Sequence, residues 1–205
     1  MTQFAYIIDD DEAIRDSLGY LMQSRGISCQ TFPSAEAFLE TWDAAFTGCI
    51  LLDIRMWGMS GDELFDRLIE RECQLPVIFL TGHGDVSLAV STLKKGAFDF
   101  VEKPFNDNQL ADRVLEAFKL DDERRQTVVS ANRRLALLTP REKQVMERIL
   151  AGKMNKVIAD ELNVCMRTIE AHRASLFRKM GVKMAVELAQ VVAAAPGKRR
   201  PEPLA

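Results

Sequence analysis

Short apolar runs alternate with amphipathic helical stretches five times along the first 120 residues. The apolar runs occupy residues 4–8, 28–32, 49–52, 77–80 and 98–101. Segments with a helical period follow each of them, around residues 12–25, 34–42, 61–71, 85–95 and 106–119. Strands that alternate with helices predict an α/β fold, with a doubly wound parallel sheet of five strands and helices on both faces.

The pattern becomes helical throughout after residue 120. Residues 121–138 are strongly charged and lack Pro and Gly, which predicts a helical connector. A second domain is expected to start at Thr139, a good N-cap followed by Pro140 and by Glu142, which can complete a capping box. Helical segments around 140–151, 155–162, 166–180 and 184–194 predict an all-α domain of four helices over residues 139–195. The last segment, 196–205, is rich in Pro and basic residues and is expected to be a disordered tail.

Charge is divided unequally between these two parts. Residues 1–121 hold 21 acidic and 10 basic residues, a net charge of −11. Residues 122–205 hold 9 acidic and 17 basic residues, a net charge of +8. This division predicts that only the C-terminal part meets a polyanion.

Composition argues against membrane and secreted proteins. There is no run of about 18 apolar residues to span a bilayer, and the N-terminus lacks a basic leader. We therefore expect a soluble, cytoplasmic protein without a membrane partner. The four widely spaced cysteines form no C-x-x-C motif and are expected to be small buried or half-buried apolar residues, with a metal site or redox pair as the alternative.

Polar residues able to do chemistry follow four of the five apolar runs. Asp9 and Asp10 follow the first run, Asp53 the third, Thr81 the fourth, and Lys103 lies just beyond the fifth. Because ligands of open α/β sheets bind outside the carboxyl ends of the strands, these side chains are expected to converge at one edge. Three carboxylates repel each other unless a cation lies among them, and hard oxygen ligands favour Mg²⁺.

The same set of residues is suited to phosphoryl chemistry. A carboxylate such as Asp53 can attack phosphorus, Lys103 can neutralise phosphoryl oxygens, and Thr81 can donate a hydrogen bond to them. Taken singly, each has an ordinary alternative: an Asp after a strand is usually a turn or helix cap, and Lys-Pro can simply end a strand. Their order along the chain makes the set specific.

Residues 3–120 resemble a receiver domain of two-component signalling. The resemblance rests on the motifs at 7–11 (IIDDD), 51–56 (LLDIRM), 79–85 (FLTGHGD) and 98–105 (FDFVEKPF). It implies a flavodoxin-like fold and the phosphorylation of Asp53 by a sensor histidine kinase. It also implies Mg²⁺ held mainly by Asp10 and Asp53, with the backbone carbonyl of Arg55, and with Asp9 close by.

The resemblance also assigns roles to residues around the phosphoacceptor. Thr81 and Phe100 match the pair whose rearrangement reports phosphorylation, and Lys103 matches the residue that contacts the phosphoryl group. His83 matches a position that modulates the lifetime of the phosphoryl group, with a plain loop residue as the alternative. Trp57 departs from the family, which commonly has Pro here; it is either a tolerated loop variant or a partner contact.

Residues 155–180 predict two short helices packed across a tight turn, a helix-turn-helix whose second helix enters the major groove of DNA. The candidate recognition helix runs from about Met166 to Met180. When its apolar residues are turned inward, five side chains face outward and Arg173 lies at the edge. The five are Arg167, Glu170, Ala171, Ala174 and Arg178. Basic helical faces are often merely solvated, so the pattern alone is a weak signal.

Several short motifs in this part resemble a LuxR-type helix-turn-helix. They occupy residues 138–142 (LTPRE), 155–159 (NKVIA), 167–173 (RTIEAHR) and 179–180 (KM), and with the receiver they make all but the tail similar to FixJ-type regulators. The likeness implies base contacts around Glu170, Ala171, Arg173 and Ala174, and phosphate contacts from Lys156, Thr168, His172 and Lys179. Cys165-Met166 replaces the usual Ser-Pro, which is expected to cost about 1 kcal/mol of helix stability and to leave DNA binding intact.

Together the two resemblances predict a transcriptional response regulator that is a phosphoacceptor and not an enzyme. Phosphorylation is expected to make the receivers dimerise and the DNA-binding domains bind promoter DNA. Activation of transcription through RNA polymerase is the expected outcome, with repression as the alternative. A phosphatase with an aspartyl nucleophile would need an acid where Arg55 stands. A nucleotide switch would need a phosphate-binding Gly-Lys loop, which is lacking, and a phosphate sink would need no DNA-binding domain.

Overall fold

The computed structural model of the protein describes residues 2–82 and 86–195. It divides into two compact units between Glu123 and Arg124. The prediction for His83 and the predicted tail at 196–205 lie outside the described residues. No helix in the described ranges is both long and apolar enough to cross a membrane.

The N-terminal unit is an α/β domain in which strands and helices alternate. Its strands are β1 (Phe4–Ile8), β2 (Cys29–Phe32), β3 (Gly48–Asp53), β4 (Val77–Thr81) and β5 (Asp99–Glu102). Its helices are α1 (Glu12–Ser24), α2 (Ala35–Thr41), α3 (Gly61–Glu70), α4 (Val86–Lys94) and α5 (Asp107–Ala136). The helix α5 has 30 residues and continues past Glu123, because no Pro or Gly interrupts it.

All five strands are parallel and lie in the order β2-β1-β3-β4-β5. This is the predicted doubly wound, flavodoxin-like sheet, which is thereby confirmed. Ile8 pairs with Leu52, Asp53 with Leu80, and Thr81 with Glu102. The register therefore brings the carboxyl ends of β1, β3, β4 and β5 to one edge of the sheet.

The central strand β3 is buried on both faces, which explains why it is apolar throughout. Ile50 and Leu52 pack into the core on one face of the sheet, and Cys49 and Leu51 pack into the core on the other. Each such side chain contributes about 1.5–3 kcal/mol by leaving water. The strand that carries Asp53 is thus held rigidly from both sides.

The C-terminal unit is helical. Besides the end of α5, the described residues 124–195 form α6 (Pro140–Leu150), α7 (Asn155–Glu161), α8 (Met166–Met180) and α9 (Ala185–Ala193). The predicted capping box is present, since the Thr139 hydroxyl accepts from the Glu142 N–H and the Glu142 carboxylate accepts from the Thr139 N–H. Ile158, Ile169 and Leu176 are fully buried in one core, which fixes α7 against α8.

Candidate functional site

An acidic site lies at the carboxyl edge of the sheet, where the sequence predicts it. Asp9 and Asp10 follow β1, and Asp53 ends β3. One carboxylate oxygen from each lies within 4.8 Å of the others. Asp9 and Asp53 are buried and Asp10 is half-buried. The next residue, Asp11, does not join them, because its carboxylate caps α1 by accepting from the Ala13 and Ile14 N–H groups.

Lys103 provides the positive charge of this site. Its Nζ donates to Asp53 Oδ1 at 2.7 Å and to Asp9 Oδ2 at 2.9 Å. Burial raises the pKa of Asp53, and although Lys103 lowers it, Asp9 and Asp10 add to the rise. Burial lowers the pKa of Lys103, but its two carboxylate partners outweigh burial and raise it. The Lys103 ammonium stays charged because two carboxylates contact it, but its single positive charge is divided between them.

Asp10 is held by a different donor. The backbone N–H of Trp57, in the loop after β3, donates to Asp10 Oδ2 at 3.0 Å. Two residues further on, the Met59 N–H donates to Glu36 Oε1 at 3.1 Å. These two hydrogen bonds attach the loop that follows the predicted phosphoacceptor, while Trp57 as a whole residue is 88% exposed.

The other predicted site residues of the receiver surround this cluster. Thr81 ends β4 and is buried, and its hydroxyl donates to the Gly82 carbonyl at 3.1 Å. Phe100 lies on β5, half-buried against the core. Arg55 lies exposed in the loop two residues after Asp53. The Thr81 hydroxyl lies at the correct edge of the sheet, but its hydrogen bond is to backbone and not to Asp53.

Gly61 is a site residue that the sequence reasoning missed. It is the first residue of α3, and its N–H donates to the Ile54 carbonyl at 2.9 Å. A Cβ at this position would lie 2.2 Å from the carbonyl oxygen of Asp53. Only glycine lets α3 begin so close to the strand that carries Asp53. A glycine at the first position of a helix, where no turn requires one, is the feature of the sequence that could have indicated this close approach.

The acidic cluster fits a hard divalent cation. Among the residues that the structure describes, it offers three carboxylates and no nitrogen or sulfur ligand, and oxygen ligands at a half-open site suit Mg²⁺, which retains several waters. Asp10 and Asp53 are the residues that would hold the ion. Asp9 is 1% exposed and accepts a hydrogen bond from Lys103, so it would add negative charge to the site from the buried side.

The exposed face of α8 forms a candidate nucleic-acid interface. The five side chains predicted to face outward are all exposed: Arg167, Glu170, Ala171, Ala174 and Arg178. Lys156, on α7, is exposed as well. Small alanines between longer polar side chains would allow the helix backbone to approach a groove closely, and arginine side chains are of a length and charge suited to bases and phosphates.

The remaining predicted DNA contacts are half-buried and partly engaged within the domain. Arg173 Nη1 donates to Asn155 Oδ1 at 3.0 Å, and its guanidinium lies over the Phe177 ring. The Lys179 Nζ donates to Glu142 Oε2 at 2.7 Å. Thr168 and His172 are also half-buried. The structure therefore places Arg173 and Lys179 at the edge of the exposed face, where each has an intradomain partner.

Glu142 is the centre of a buried polar cluster between α6 and α8. Its carboxylate, 3% exposed, accepts hydrogen bonds from Thr139, Ser175 and Lys179. Burial raises the pKa of Glu142, but the bonds from Lys179, Thr139 and Ser175 together outweigh burial and lower the pKa to about 2. Glu142 thus fixes α8, the candidate recognition helix, against α6.

The depressed pKa of Glu142 makes the C-terminal unit sensitive to acid. Its stabilising contribution is complete above the unfolded-state value of 4.5 and is lost as the pH falls toward about 2. We expect wild type to be more stable to urea than Glu142→Gln at about pH 5.5, with the difference smaller at about pH 3 and largely gone at about pH 2. Amide NMR signals of residues 139–193 would report this unit alone. A difference that does not shrink with falling pH would contradict the assignment.

None of the four cysteines forms a disulfide in the described structure. Cys49 is buried and Cys29 and Cys73 are half-buried, as expected, but Cys165 is exposed, so the expectation is wrong there. Cys165 directly precedes α8 and gives no side-chain hydrogen bond to the helix start; its Sγ lies 3.1 Å from the Thr168 hydroxyl oxygen. The exposure follows from its position at the tip of the turn into α8.

Comparison with known proteins matches both units separately. The family model of the response regulator receiver domain matches residues 5–115. The model of bacterial regulatory proteins of the luxR family matches residues 136–192. The first match covers the acidic cluster with Lys103, and the second covers the exposed face of α8.

Similar proteins span the whole chain. The C4-dicarboxylate transport transcriptional regulatory protein DctR of Rhodobacter capsulatus is 48% identical over 198 residues, covering 93% of this chain and 100% of DctR. The transcriptional regulatory protein FixJ of Bradyrhizobium diazoefficiens is 41% identical over 91% of this chain and 92% of FixJ.

Solved structures give the same result. The response regulator StyR has a TM-score of 0.65 at 36% identity, covering 94% of this chain and 98% of StyR. Full-length FixJ from B. japonicum has a TM-score of 0.59 at 40% identity, covering 95% of this chain and 97% of FixJ. The likeness therefore includes both units and the segment that joins them.

Proposed function

Because the chain belongs to the two-component response regulators that join a receiver to a LuxR-type DNA-binding domain, we propose that Asp53 is its phosphoacceptor. The family consists of transcriptional regulators and not of enzymes in the usual sense. The observation that carries the proposal is the contact of Lys103 Nζ with Asp53 Oδ1, at 2.7 Å, beside Asp9 and Asp10. A carboxylate in contact with an ammonium, at the open edge of a sheet, is suited to receive a phosphoryl group.

The transfer starts from the phosphohistidine of a sensor kinase. An Asp53 carboxylate oxygen forms the new P–O bond while the P–N bond to the imidazole breaks, and the imidazole leaves with that electron pair. Lys103 neutralises phosphoryl oxygens, and Asp10, Asp53 and the Arg55 carbonyl would hold Mg²⁺, which would supply further positive charge when bound. Slow return of the phosphoryl group to water is the only hydrolytic activity expected.

Phosphorylation acts on DNA binding through the receiver surface. The Thr81 hydroxyl leaves the Gly82 carbonyl for a phosphoryl oxygen, and Phe100 turns further inward, which reshapes the face of α4 and α5. Two receivers dimerise on this face and pair the DNA-binding domains on a roughly palindromic promoter site in the cytoplasm. We expect the bound dimer to activate transcription by RNA polymerase.

The test compares wild type with Asp53→Asn, with and without acetyl phosphate and MgCl₂. Light scattering would measure dimerisation, and a gel-shift or anisotropy assay would measure promoter binding. The proposal expects wild type to gain both with the phosphodonor, and Asp53→Asn to gain neither. Equal DNA binding by both proteins under all conditions would show that the receiver is not the switch.

The exposed face of α8 carries its own prediction. Replacing Arg167, in the first turn of α8, by Ala should weaken specific promoter binding by about 1–3 kcal/mol, because the first residues of a recognition helix are closest to the bases. The matched control is Arg25→Ala, which removes an exposed charge from the N-terminal unit. If the two variants bind promoter DNA equally well at the same salt concentration, Arg167 does not contact DNA.

A further inference from the structure

A backbone hydrogen bond joins the loop after β3 to the acidic cluster. The Trp57 N–H donates to Asp10 Oδ2 at 3.0 Å, across 47 residues of sequence. Lys103 binds the other two carboxylates of the cluster, those of Asp9 and Asp53. Asp10 is thus the half-buried carboxylate whose orientation depends on the loop and not on the lysine.

The loop is fixed well enough for this bond to orient Asp10. Two residues beyond Trp57, the Met59 N–H is bonded to Glu36 Oε1 at 3.1 Å, and Gly61 then starts α3 against the Asp53 carbonyl. Trp57 is 88% exposed as a residue, and its indole plays no part in these two hydrogen bonds. What position 57 contributes to the site is a backbone N–H, which every residue except proline supplies.

We propose that the Trp57 amide is a positioning group for the Mg²⁺ ligand Asp10, holding one carboxylate oxygen so that the other faces the cation. This rests on the magnesium site of the proposed function. A monodentate carboxylate ligand leaves one oxygen for a second hydrogen-bonding partner, and such partners fix the direction of the ligand. The amide favours Mg²⁺ binding because it orders Asp10 before the ion arrives.

The test separates the N–H from the ring. Titration of Trp57→Pro, Trp57→Phe and wild type with MgCl₂, followed by amide NMR shifts around the site, measures three dissociation constants. Loss of the N–H in Trp57→Pro should weaken Mg²⁺ binding by about tenfold, while Trp57→Phe, which keeps the N–H, should bind as wild type does. Unchanged or tighter binding by Trp57→Pro would overturn the proposal, and tighter binding would show that the amide competes with the ion.

A measurement on wild type avoids any effect of proline on the loop. Hydrogen exchange of the Trp57 amide should stay slow when the site is saturated with Mg²⁺, because the proposal keeps the hydrogen bond in the loaded state. Exchange at the rate of a free amide in Mg²⁺ would overturn it. If wild type itself binds no Mg²⁺, the proposed function fails; if wild type binds and the variants do not differ, only the role of Trp57 fails.

Discussion

Gly61→Ala is expected to destabilise the N-terminal unit by about 3 kcal/mol, near the upper end for a single added methyl group. The new Cβ would lie 2.2 Å from the Asp53 carbonyl oxygen, so either α3 or the end of β3 must move. Both atoms in conflict belong to rigid parts of the fold, since β3 is buried on both faces. Because the displaced residue is Asp53 itself, phosphorylation should slow as well. Urea unfolding and the rate of phosphorylation by acetyl phosphate would measure the two effects.

Two other glycines serve as controls for Gly61→Ala. Gly48 starts β3 at the opposite edge of the sheet, has a φ of +121° and would place a Cβ 2.0 Å from the Phe4 carbonyl oxygen, so Gly48→Ala should destabilise the unit without displacing Asp53. Gly19 lies within α1 with no atom within 4 Å of a new Cβ, so Gly19→Ala should be harmless or stabilise by up to about 1 kcal/mol. If Gly48→Ala slows phosphorylation of the folded protein as much as Gly61→Ala, the effect is general and the close approach to Asp53 is not its cause.

The sheet could be predicted from the sequence because its central strands are buried on both faces. Buried parallel strands appear as continuous apolar runs, and the predicted bounds of all five agree with the structure within one residue. The end of α5 was harder to place. The amphipathic pattern ends near residue 119, which predicts a helix followed by a separate helical connector, whereas in the structure one helix continues to Ala136. The change to charged residues at 121 ends the amphipathic pattern of the helix and not its hydrogen bonding.

The order of the polar residues along the chain is enough to locate the acidic site, but the local sequence does not show what each carboxylate does there. Three consecutive aspartates follow β1, and the expectation that Asp9 and Asp10 belong to the site agrees with where the structure places them. The capping role of Asp11 emerges only from the start of α1. The amide of Trp57 is even less visible from sequence, since a backbone hydrogen bond between residues 10 and 57 depends on how two loops meet.

The same limit applies to the capping box of the second domain. The motif Thr139 to Glu142 predicts a helix start correctly, because its hydrogen bonds are local. The sequence does not show that Lys179 and Ser175, more than 30 residues away, donate to the same carboxylate. The predicted phosphate contact of Lys179 stays a prediction, and the structure adds that this lysine also has a buried partner.

Glu142→Ala is accordingly expected to destabilise the C-terminal unit by about 3 kcal/mol or more. The change leaves the Lys179 ammonium, the Ser175 hydroxyl and the Thr139 N–H without their acceptor, and breaking a buried ion pair from one side is far costlier than the net value of the pair. The recognition helix α8 should loosen, and promoter binding should fall with it. Urea unfolding followed by circular dichroism would detect the loss of helix at lower denaturant.

Glu161→Ala provides the matched control, because Glu161 also pairs with two basic residues, Arg148 and Lys153, but at the surface. Exposed ion pairs contribute about 1 kcal/mol or less, so this variant should unfold nearly as wild type does. Both tryptophans of the chain lie in the N-terminal unit, and their fluorescence therefore follows the receiver alone. The fluorescence transition should be the same in all three proteins, since neither substitution touches the receiver. A Glu142→Ala protein whose dichroism transition matches that of Glu161→Ala would show that the buried cluster does not hold α8 in place.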